Sequence, residues 1–194
     1  MKIPVSMIVA LITGIALLSP VTTLTADEKG EDWQSLKNES KRMKINEMAD
    51  KALEQVMNGN WKAEELFKSS YGWAAFDNLK IAFVVSGGGG NGVAIHKESG
   101  ERTYMKMGTA GIGFGIGGQS YQVIFFFQDE RTYHNFVEKG WKADASAQAA
   151  AGKDGVNATT GFVNGIAVWQ ITDKGLMASV DIAGTKYWKN KKLN

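Results

Sequence analysis

The chain has 194 residues, 44% of them hydrophobic and 22% charged, with 22 Lys+Arg against 20 Asp+Glu. Those proportions describe a globular protein and exclude a disordered polymer, a polytopic membrane protein and a wholesale nucleic-acid binder. Cysteine is absent and histidine occurs only as His96 and His134, which excludes disulfides, thiolate zinc sites, thiol catalysis and a multi-histidine metal centre.

Lys2 precedes a largely apolar run from Ile3 to Leu18, closed by Ser19-Pro20 and by Leu24-Thr25-Ala26 ahead of Asp27-Glu28. This is the layout of a secretory signal peptide over residues 1–26, with cleavage after Ala26. The run is shorter than the roughly 20 residues that span a bilayer, so a retained anchor is the weaker reading. The expected location is the periplasm or cell envelope, and residues 27–194 are left for one domain.

Ile45, Met48, Ala49, Ala52, Leu53 and Val56 recur at the helical period, which predicts an amphipathic helix over 33–57. Asn58-Gly59-Asn60 ends it, and a second, shorter helix follows with Trp61, Leu66 and Phe67 on one side, giving a helical part over 33–68. From Leu79 the texture turns to strands. Ile81 to Val85 is a β-branched run expected to stop at the glycines of Ser86–Gly92. Val93–His96 and Arg102–Met105 pair around a turn at Glu98-Ser99-Gly100. Residues 111–117 alternate glycine with apolar side chains, and Tyr121–Phe127 is a strongly apolar strand. Asp129–Lys139 reads as a helix with Tyr133, Phe136 and Val137 facing in, and Asp129-Glu130 as its start. Ala143–Ala151 is alanine-rich. Phe162–Thr172 and Leu176–Ile182 read as a final strand pair. Helices followed by short-looped strands over 79–188 predict an α+β fold: one domain, a twisted or barrel-like antiparallel sheet with N-terminal amphipathic helices packed on it.

Gly87-x-Gly89-x-x-Gly92 fits a dinucleotide fingerprint, but the pyrophosphate needs a helix N-terminus directly afterwards, and Val93–Tyr104 alternates as strands. Gly113-x-Gly115-x-x-Gly118 likewise runs into a strand. Neither is followed by the Lys-Ser or Lys-Thr of a phosphate loop. The two histidines lack an i, i+4 partner and no G-x-S-x-G elbow exists. No catalytic residue, metal site or cofactor is expected.

Lysine placement carries more information. On a helical wheel Lys37, Lys41, Lys44 and Lys51 fall within about 80° of one another, beside the stripe of Ile45, Ala49, Ala52 and Val56. Such a helix can lie at an anionic interface, or pack its stripe on the sheet and leave the lysines exposed. At the C-terminus Lys186, Lys189, Lys191 and Lys192 interleave with Tyr187 and Trp188, a mixture suited to a headgroup zone. Lys37, Lys41, Lys44 and Lys51, with Lys186, Trp188 and Lys189, are the candidate lipid contacts.

Tyr71-Gly72-Trp73-Ala74-Ala75-Phe76, then Ser86–Val93, then Gly111–Gln119, the Val123–Phe127 strand with Phe136 after it, and Gly175-Leu176-Met177-Ala178 ahead of Gly184 occur in an order and spacing that resembles the SYLF-domain family. The resemblance implies a compact α+β lipid-binding domain over 27–194, with anionic lipids as partners. Some eukaryotic members bind actin, a partner that the exported reading argues against, as it does nucleic acid. The functional expectation is an exported, non-enzymatic lipid-binding protein associating peripherally with anionic membrane. The alternative is an envelope component that docks a protein partner through its glycine-rich sheet.

Overall fold

A computed structural model describes residues 26–82, 85–112, 117–143, 161–172, 175–177 and 184–194. All of the segment 1–26 read as a signal peptide but Ala26, the alternating residues 113–116 and all of the alanine-rich stretch but Ala143 lie outside the described residues.

Helix α1 runs Ala26–Gly59, longer than the apolar period alone predicts. Residues 32–37 in its N-terminal turns are all exposed, so no buried stripe marks them. Ile45, Ala49, Ala52 and Val56 are buried, and the alanines let the helix lie close on the sheet. Asn60 then caps α2, Trp61–Ser69, through its side-chain oxygen, which accepts the Lys62 N–H at 2.9 Å. Trp61 does not join Leu66 and Phe67 on the inner side; it is 75% exposed. Five residues before Leu66 is about 140° round a helix, and Ala63 occupies the inward position instead.

The strands are β1 Gly72–Ala82, β2 Val85–His96, β3 Arg102–Ile112, β4 Gly117–Phe127, β5 Trp141–Lys142, β6 Ile166–Thr172, β7 Gly175–Met177 and β8 Thr185–Lys189. They form one curled sheet in the order β5-β8-β3-β2-β1-β4-β6-β7, with every neighbouring pair antiparallel. Between β4 and β5, helix α3 spans Glu130–His134 and continues into a π turn over Asn135–Lys139. Its N-cap is Asp129, as the acidic pair predicts, and Tyr133, Phe136 and Val137 are buried.

The sheet begins at Gly72 rather than Leu79, and the glycine run is not a turn but the body of β2, paired residue by residue with β1. A strand tolerates these glycines because the neighbouring backbone presses into the space a side chain would fill. A Cβ on Gly92 would collide with the Ala75 carbonyl oxygen and the Phe76 ring. The first of the two final strands is shorter than the expected Phe162–Thr172, while residues 178–182 of the second lie outside the described residues. β6 starts at Ile166 because Val163 and Ile166 exchange backbone hydrogen bonds across a tight turn.

Strand alternation divides the core in two. The inner face carries Phe76, Met105, Met107, Val123, Phe125 and Tyr187, closed by Phe136 and Tyr133. The outer face carries Trp73, Ala75, Val93, Ile124, Phe126 and Trp169 beneath α1 and α2. The two helices cover only part of that outer face, and the uncovered part positions the candidate site.

Candidate functional site

The stripe of α1 is committed to the sheet, so it does not enter an acyl layer; what remains for a partner is the opposite side of the helix. There Trp33, Leu36 and Met43 are 70%, 51% and 66% exposed. Lys37, Lys41 and Lys44 are exposed beside them and make no ion pair to any described residue. Lys51 is different. Its ammonium lies 2.7 Å from Glu47, which raises the lysine above its ordinary range and lowers the carboxylate, each chiefly through their shared hydrogen bond.

The C-terminal candidates separate by strand parity. Tyr187 points into the inner core, so Lys186 and Trp188 stand on the outer face and Lys189 on the inner side. Lys189 is drawn to Glu138 of the π turn at 3.3 Å. Lys186 stays exposed, and Trp188 rests against Gly108, whose added Cβ would lie 3.1 Å from the indole. Register brings two further lysines to them that sequence reading missed. Lys106 of β3 pairs with Trp188, and Lys142 of β5 pairs with Lys186. Lys106, Lys142, Lys186 and Trp188 thus form one patch contributed by three adjacent strands, with Leu79 exposed nearby on the same face and Asp77 one strand beyond Asn91. Nothing in the linear spacing of residues 106, 142 and 186 announces this; alternation around Tyr187 and Trp141 is the only available signal.

The last residues tie this patch to α1. Arg42 Nε donates to the Leu193 carbonyl at 2.8 Å, and Asn38 Nδ2 donates to that of Lys192 at 3.3 Å. Asn194 exchanges hydrogen bonds with the backbone N–H and carbonyl of Tyr104, at 2.9 and 2.8 Å. The exposed Lys191 and Lys192 therefore sit between the N-terminal half of α1 and the lysine patch on the sheet. On the helix-bearing side of the molecule, cations and aromatic rings form a broad surface that suits an anionic, partly apolar partner.

No group of three His, Asp or Glu side chains converges to hold a metal ion among the described residues. Gly87, Gly89 and Gly92 lie inside β2 with no helix after them, so the fingerprint geometry is absent there. No described helix is long and apolar enough to cross a membrane.

Fold and surface together define a single α+β domain with a basic, aromatic-edged face. A family model described as Las17-binding protein actin regulator matches residues 108–194. The chain is 40% identical over 152 residues to Beta cell expansion factor A of Aeromonas veronii, a match covering 78% of this chain and 58% of that protein. The chain belongs to the SYLF-domain family, and it spans 58% of the length of that curated relative.

Proposed function

We propose that the protein is an exported, non-enzymatic lipid-binding protein that associates peripherally with anionic membrane in the cell envelope. The observation that carries this reading is the solvent side of α1, where Trp33, Leu36 and Met43 are exposed beside Lys37, Lys41 and Lys44, which make no ion pair to a described residue. A folded protein gains nothing from exposing large apolar side chains in a group, whereas an interface accommodates both chemistries at once. Lys106, Lys142, Lys186 and Trp188 supply a second contact on the same side, while Lys51 and Lys189 are already engaged by carboxylates. Export rests on the charged, apolar and small-residue layout of residues 1–26.

Vesicle co-sedimentation tests the reading. Retention should be greater on anionic than on neutral vesicles and should fall with added salt. Each lysine near an anionic surface is worth roughly 1 kcal/mol, so Lys37→Glu/Lys41→Glu/Lys44→Glu should weaken binding on the order of 100-fold or more. Equal retention on both vesicle types, indifferent to salt and to the triple change, overturns it.

A second reading has its own support. The outer face beyond the helices leaves Leu79 54% exposed beside open glycines, and nothing lies within 4 Å of a Cβ built on Gly87. A protein partner could seat a backbone or a flat side chain there, in keeping with the binding role in the family's description. A stable complex of the lipid-free protein in size-exclusion chromatography, lost on Leu79→Lys, would favour this reading over lipid.

A further inference from the structure

A hollow of about 190 Å³ opens where β1 begins, between the β2–β3 turn and α3. Its walls are aromatic. The Tyr71 ring lies 4.6 Å from His96, 5.7 Å from Tyr133 and 6.3 Å from His134, centroid to centroid. The carboxylates of Glu101 and Glu138 complete the lining.

The rings are held in place. Ser99 N donates to His96 Nδ1 at 3.0 Å, and Ser99 Oγ lies 2.6 Å from the same nitrogen. That hydroxyl oxygen also accepts the Glu101 N–H at 3.2 Å, so its own hydrogen goes to the imidazole, and the neutral ring carries its proton on Nε2. Tyr133 is packed against Phe127 and Tyr71. Glu101 has no ion-pair partner among the described residues, whereas Glu138 shares Lys189 at 3.3 Å. Desolvation, followed by neighbouring carboxylates including Glu101, pushes both the Tyr71 and Tyr133 phenols above their ordinary range. The two phenols thus stay neutral, and Glu101 and Glu138 bring carboxylates to the lining.

We propose that this hollow binds an organic ammonium group, walled by Tyr71, His96, Tyr133 and His134 and attracted by Glu101 and Glu138. Ring walls cannot replace the water around a small hard cation, but they match the diffuse charge and apolar methyl or methylene groups of an alkylammonium. The carboxylates turn anions away. The ligand is either a free small amine such as choline or the ammonium of a zwitterionic lipid headgroup. The proposal does not depend on the lysine surface, which lies on other elements and selects the opposite charge.

An NMR titration with choline chloride, with sodium chloride as the ionic-strength control, tests the first source. Phosphatidylcholine vesicles test the second. Saturable shifts around His96 and Gly100 in the choline arm, or vesicle retention in the lipid arm, should weaken roughly 3- to 10-fold in Glu101→Gln. Glu101 is exposed and its carboxylate makes no hydrogen bond to a described residue, so this variant keeps the fold. A choline response assigns the free amine, and a response confined to vesicles assigns the headgroup. Failure of both arms, or a response that Glu101→Gln leaves unchanged, overturns the proposal. Lys37→Glu/Lys41→Glu/Lys44→Glu should leave the choline titration unaltered, which separates failure here from failure of the membrane reading.

Discussion

Asn78 is 1% exposed, and neither its amide oxygen nor its nitrogen has a hydrogen-bond partner among the described residues. An unsatisfied buried amide costs about 1–3 kcal/mol, and replacing it by an apolar group of similar shape removes that cost. Asn78→Leu should therefore raise the thermal midpoint in calorimetry; a loss of more than about 1 kcal/mol would show that the amide is satisfied in solution. Asp129 presents the opposite case. Its carboxylate accepts from Thr132 N at 2.8 Å and Thr132 Oγ1 at 3.0 Å, and these bonds hold it below the usual carboxylate range. A carboxyl depressed on folding stabilises the native state above its unfolded value and loses that contribution as pH falls through its folded value. The acid limb of a midpoint-against-pH curve should be shallower in Asp129→Asn, which keeps a capping oxygen but does not titrate.

At the scale of elements, α2 depends on one inward contact line. Leu66 is buried between α1 and the outer face of the sheet, so Leu66→Ala should cost about 2–5 kcal/mol in urea unfolding with little change in slope. The stripes of α1, the Gly100 turn, the Asp129 start of α3 and the inward Phe136 were all legible in the sequence, because each is a local rule of period or capping. The glycine body of β2 was not. Glycine punctuates a chain by default, and the close backbone of β1 over Gly90 and Gly92 makes it strand material. The lysine patch was legible by halves. Period-two alternation separates Lys186 and Trp188 from Lys189, but Lys106 and Lys142 join them only through a ladder between distant segments. The aromatic hollow was hidden for the same reason, since Tyr71, His96 and Tyr133 come from three separate stretches of chain.

For the whole molecule, the sheet order sets what can fold by itself. β4 pairs with β1 along its full length and β8 pairs with β3, so the matched segment 108–194 lacks both the central strands and half of a ladder. A fragment of residues 108–194 should show no cooperative thermal transition by circular dichroism, and a sharp one would contradict the topology. The two sets of charges lie on different elements: Lys37, Lys41 and Lys44 on α1 with Lys106, Lys142 and Lys186 on β3, β5 and β8, and Glu101, Glu130 and Glu138 around the hollow. Raising salt should therefore weaken an anionic partner and an ammonium ligand through separate groups, so the two effects should be additive in variants of each.

The six tryptophans are partitioned by this architecture. Trp73 and Trp169 are sealed under the helices, Trp141 is half-buried by the π turn, and Trp33, Trp61 and Trp188 face water on the helix side. The molecule thus carries its own optical gauge. Acrylamide should quench a long-wavelength population while sparing a short-wavelength one, and only the quenchable emission should shift to the blue when that side meets a hydrocarbon boundary.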